Sequence, residues 1–70
     1  MMNWTRVNGE LMITDRQRSG YAYRIRGTGA SILIAEGPIS GPSLPLRREE
    51  CPNVGAAMML ADRWESACRR

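Results

Sequence analysis

Residues 21–26, Tyr-Ala-Tyr-Arg-Ile-Arg, alternate strictly between two sets of side chains, and Ser31 to Glu36 supplies a second β-branched run. The link between them, Gly27-Thr28-Gly29-Ala30, is short enough to make a hairpin. With Thr28 and Gly29 as the loop, Ile25 falls opposite Ile32 and Tyr23 opposite Ile34. The expected inward face is then Tyr21, Tyr23, Ile25, Ile32 and Ile34, and the outward face is Ala22, Arg24, Arg26, Ser31, Leu33 and Ala35. A slip of one residue would scatter the apolar set, which predicts a well-specified register.

The flanking segments extend this pair. Asn8-Gly9 is the preferred two-residue hairpin turn, with both residues at positive φ. It would set Val7 against Glu10, Arg6 against Leu11 and Trp4 against Ile13, with Trp4, Leu11 and Ile13 on one face. Residues 37–53 contain Pro38, Pro42, Pro45 and Pro52, which forbid a helix and discourage a central strand. That segment reads as an irregular loop, either functional or a cover over a sheet edge, with Leu44 and Leu46 turned to the core. From 54 to 69 the pattern is helical: Val54, Ala57, Leu60, Ala61, Trp64 and Cys68 share one side, with Trp64 at its centre. Asn53 is an acceptable N-cap, Arg69 and Arg70 suit the helix end, and Glu65 can pair with Arg69. The expected fold is α+β, one domain over 1–70. Three or four antiparallel strands (about 3–7, 10–14, 21–27 and 30–36) form a meander on one C-terminal helix.

Composition narrows the chemistry. The chain has 70 residues, too few for a large core, so a partner or second copy would add stability. It has no histidine, hence neither the usual general base nor the commonest metal ligand. Two cysteines with scattered carboxylates supply no zinc set. The expectation is a non-enzymatic protein without cofactor or metal. Gly27-Thr28-Gly29 is a turn, not a phosphate loop, because strand rather than helix follows it. No apolar run is long enough to span a membrane and no secretion signal is visible, so a cytoplasmic protein with reduced thiols is expected. Cys51 and Cys68 bracket the helix at roughly 25 Å, too far to bridge; Cys68 reads as core and Cys51 as an exposed thiol.

All ten basic residues are arginine, and the charge is uneven. Residues 1–35 carry five Arg against Glu10 and Asp15, whereas 36–70 carry five Arg against five acids. Arg16, Arg18, Arg24 and Arg26 form the one constellation suited to an acidic partner, on the open sheet face and the loop leading into it. A solvated face must be polar in any case, so this pattern also fits a plain surface. Leu33, Met12 and Met59 are apolar residues predicted outside the core, and Leu33 beside Met12 would make a protein-binding patch. Two partner classes follow. One is a host protein or ribonucleoprotein complex, or a second copy as a homodimer. The other is double-stranded DNA, read by the sheet in the major groove. Single strands and RNA are disfavoured, since no aromatic joins the arginines.

Trp4, the Ser19-Gly20-Tyr21-x-Tyr23-x-Ile25 strand, the Ala35-Glu36-Gly37-Pro38 exit and the Ala-rich helix ending Trp64-Glu65 resemble small phage and prophage accessory proteins. Those have a Trp-led hairpin, a GxYxI strand and a C-terminal helix. The resemblance implies a protein that binds a host macromolecule stoichiometrically, as anti-CRISPR and other host-takeover proteins do. The chain also looks like the sheet-plus-helix DNA-binding domain of integrases and excisionases. It departs from acidic DNA-mimic inhibitors in being basic, and no functional motif is shared from which site residues could be carried over.

Overall fold

The computed structural model describes residues 2–38, 40 and 44–68. Five strands precede one helix: β1 (Trp4–Asn8), β2 (Leu11–Thr14), β3 (Ala22–Arg26), β4 (Ser31–Glu36), β5 (Arg47–Cys51) and α1 (Val54–Cys68). The strands form a single sheet in the order β1-β2-β3-β4-β5, each antiparallel to the next. The helix packs on one face, over β3, β4 and β5. The fold is α+β, with five strands rather than three or four.

The additional strand corrects the reading of 37–53 as one irregular loop. Pro45 and Pro52 lie just outside β5, so no ladder position lacks a donor. The charged run Arg47-Arg48-Glu49-Glu50 is tolerated because β5 is a sheet edge, with three of its residues exposed.

The central register differs by one residue from the expected one. Arg26 lies opposite Ile32, Ile25 opposite Leu33, Arg24 opposite Ile34 and Tyr23 opposite Ala35. Tyr23, Leu33 and Ala35 are fully buried and Ile25 and Ser31 nearly so, whereas Ile32 and Ile34 are half-buried on the opposite face. Leu33 is therefore a core residue, not an exposed binding residue. Two constraints explain the slip. Gly27 adopts a φ of 106°, and a Cβ there would meet the Ala30 carbonyl oxygen at 2.7 Å, so this tight turn requires glycine. Across the sheet, the fully buried Ala57 and Ala61 bring α1 close, and the inward positions of β4 are correspondingly small: Ser31 and Ala35 flank a single Leu33. Tyr23 of β3, fully buried opposite Ala35, takes up volume beside those small residues.

The first hairpin also departs from expectation. Trp4 pairs with Thr14 and Arg6 with Met12, and the register then shifts so that Asn8 opposes Leu11. Neither Asn8 nor Gly9 has positive φ. The Asn8 side chain instead accepts a hydrogen bond from the Glu10 N–H at 2.8 Å, closing the turn locally. Trp4 consequently packs against the core, while Leu11 and Ile13 lie on the open face.

Helix α1 begins as expected. Asn53 Oδ1 accepts the Ala56 N–H at 2.8 Å, satisfying a donor that the first turn leaves free. Asn53→Ala should lower stability by about 1 kcal/mol, read as a fall of roughly 4–8 °C in Tm by circular dichroism. The buried helical residues are Ala57, Ala61 and Glu65, while Trp64 is half-buried beneath the Arg47 guanidinium, 4.0 Å from its ring centroid. Arg69, its pairing with Glu65, and Arg70 lie outside the described residues. The cysteines exchange their expected roles: Cys51 is buried, Cys68 is exposed, and both are free. Burial first, and Glu49 second, pushes the Cys51 thiol above its ordinary value and makes it a poor nucleophile.

Candidate interaction face

Two polar assemblies stand out, one inside and one outside. The inner one centres on Glu65, which is 5% exposed. Its Oε1 accepts the Ser19 hydroxyl at 2.6 Å and the Tyr23 hydroxyl at 3.0 Å, and its Oε2 accepts the Ser19 N–H at 3.1 Å. Ser19 Oγ in turn accepts the Tyr21 N–H at 3.1 Å. Burial, reinforced by the Glu65 carboxylate, pushes the Tyr23 phenol well above its usual range. Three of the four donors end on this one carboxylate and the fourth on the Ser19 hydroxyl that it holds, so the cluster clamps the 15–20 loop and β3 to the helix. The helical pattern places Glu65 one step from the apolar stripe, but only tertiary contacts turn it inward.

The outer assembly is the sheet face without a helix. Reading across the strands, one row is Leu11, Arg26, Ile32 and Glu50, and the next is Ile13, Arg24, Ile34 and Arg48. Glu36 extends the face beside Ala22. Apolar and charged side chains thus alternate from strand to strand across the sheet, while each strand presents two of the same kind. Among the described elements none packs on this face, and the four apolar side chains remain half-buried. Two aliphatic columns, Leu11 with Ile13 and Ile32 with Ile34, flank the Arg24–Arg26 column, a mixture of apolar side chains and arginine of the kind enriched at interface cores.

The expected site residues divide. Arg24 and Arg26 are on this face, but Arg24 forms an ion pair with Glu36, the two side chains being 39% and 43% exposed. Arg16 faces elsewhere: its guanidinium donates to the Gly20 carbonyl at 2.7 Å and the Glu36 carbonyl at 3.2 Å, strapping the loop to the end of β4. Arg18 is exposed in that loop, Leu33 is in the core, and Met12, in the same row as Leu33 across β3, is half-buried on the helix side of the sheet. Sequence reasoning missed Ile32, Ile34, Glu36, Arg48 and Glu50, and set Leu11 and Ile13 on the same face as Trp4. The signal for the isoleucines was present, since the outward Leu33 left unexplained by one register becomes inward in the other.

Among the described residues no cluster of metal-ligating side chains occurs, and no helix is long and apolar enough to cross a membrane. No protein-family model matches the chain, and no curated protein or solved structure is significantly similar to it.

Proposed function

We propose that this chain is a small non-enzymatic binding protein of the phage-accessory type, which modulates a host protein or ribonucleoprotein complex by stoichiometric contact through the open sheet face. The observation that carries this reading is the half-buried cluster Leu11, Ile13, Ile32 and Ile34 set among Arg24, Arg26, Arg48, Glu36 and Glu50. Three arginines against two glutamates leave a net charge of only +1 on the face. A duplex laid there would bring its phosphates against Glu36 and Glu50, and Arg24 is already neutralised within the chain. A protein surface of mixed charge meets neither penalty.

The test combines Ile34→Asp with Arg26→Glu in one variant and compares it with the parent in affinity capture from bacterial lysate, with and without nuclease. The expected result is a partner retained after nuclease treatment and lost with the variant, while Tm changes by no more than about 8 °C. Capture that the variant leaves intact would remove this face from the mechanism. Loss on nuclease treatment, with duplex binding that falls steeply with salt, would favour the DNA reading instead.

A further inference from the structure

Among the described residues two strand edges are left unpaired in the sheet, those of β1 and β5. They are protected unequally. β1 is bulged between Arg6 and Asn8, which interrupts its ladder and twists the strand. β5 pairs with β4 at five consecutive positions without a shift, so its outer edge is regular and presents unpaired N–H and C=O groups. Beside that edge, a groove of about 400 Å³ runs between β5 and α1, lined by Glu49, Glu50, Ala56, Met59, Leu60 and Arg63. Met59 is 65% exposed on its helical wall.

Charged edge strands ordinarily prevent pairing, because a copy meets its own sign. This one is different. Arg47-Arg48-Glu49-Glu50 places bases before acids, so an antiparallel copy brings opposite charges together. A two-fold axis normal to the sheet keeps the helices on one side, so only residues of the same face can oppose one another. Centring the axis on Glu49 uses the whole strand: Arg48 meets Glu50 of the second copy, Glu50 meets its Arg48, and Arg47 meets its Cys51. The two Glu49 side chains then approach on the helix side, where Arg63 lines the same groove and offsets their repulsion.

We infer that the chain dimerises through β5, a second copy completing one continuous sheet and filling the groove beside α1. Arg48 and Glu50 also border the open face, so self-association is measured on the chain alone, where a partner of that face plays no part. Its consequence is that both open faces point the same way, and that a chain with so small a core gains buried area by self-association.

Sedimentation of the full chain tests this directly. The parent is expected to dimerise, and R48E and E50R each to weaken self-association about tenfold or more, because each creates two like-charge pairs. Mixing R48E with E50R should restore association as a heterodimer, since the two acidic strand positions then meet two basic ones. Circular dichroism of each variant establishes that it is folded. A monomeric parent at all soluble concentrations, or charge reversals without effect, would overturn the proposal. Hydrogen exchange on the unsubstituted chain supplies a second reading: protection of residues 47–51 should rise with protein concentration, and concentration-independent exchange there would equally overturn it.

Discussion

Glu65→Ala is expected to lower stability by about 3 kcal/mol or more, a large part of the roughly 4–10 kcal/mol that a chain of this length commands. The substitution strands the Tyr23 hydroxyl, the Ser19 hydroxyl and the Ser19 N–H, all of which bond to this one carboxylate, in a site only 5% exposed. The loss should appear as a fall in Tm of roughly 12–24 °C. Glu65→Gln retains shape and one acceptor and should fall between Ala and parent. A melt of Glu65→Ala within a few degrees of the parent would show that the cluster contributes nothing to the fold. The same cluster sets a pH dependence. The folded Tyr23 phenol holds its proton at higher pH than the unfolded one, so the unfolded chain binds fewer protons as pH rises past the ordinary value of about 10. The contribution is fully present below that pH and declines above it toward the folded value. Tyr23→Phe should flatten this alkaline decline when Tm is measured across that range.

Leu33→Ala should cost about 2–5 kcal/mol, whereas Ile32→Ala and Ile34→Ala should each cost about 1 kcal/mol. Leu33 is fully enclosed with Tyr23, Ile25, Ala57 and Ala61, so its removal leaves a cavity that the helix cannot close without moving two close-packed alanines. The isoleucines are half-buried on a face without a second layer, and their truncation loses area but opens no enclosed void. Chemical denaturation of the three variants decides between the two registers of β3 and β4. The reverse order of costs would put Ile32 and Ile34 in the core and return Leu33 to the surface. It would also withdraw the two β4 isoleucines from the proposed interaction face.

The register error shows where a period-two pattern stops being informative. Tyr21, Tyr23 and Ile25 are correctly inward, because their alternation is bounded by arginines that cannot be buried unpaired. Ser-Ile-Leu-Ile-Ala carries no such marker, since three consecutive aliphatic residues suit either face equally. The candidate site shares that ambiguity: alternation puts Arg24 and Arg26 on the open face, but it does not say that the β4 isoleucines opposite them lie there too. For Glu65 the difficulty was of another kind. Nothing in local spacing distinguishes a glutamate that pairs along its own helix from one that accepts three hydrogen bonds from a loop and a strand.

By itself the amino-acid sequence determined the elements whose signals are local. These are the alternating third strand, the Asn53-capped helix with its alanine stripe, and the absence of histidine chemistry. Tertiary structure alone decided which face of β4 is inward, because that depends on how closely Ala57 and Ala61 let the helix approach. It also recruited the charged segment 47–51 as a strand, since an edge position supplies ladder bonds on one side and water on the other. Local propensity acts within a few residues. The competition between faces is settled by volume across layers, which no short stretch of chain encodes.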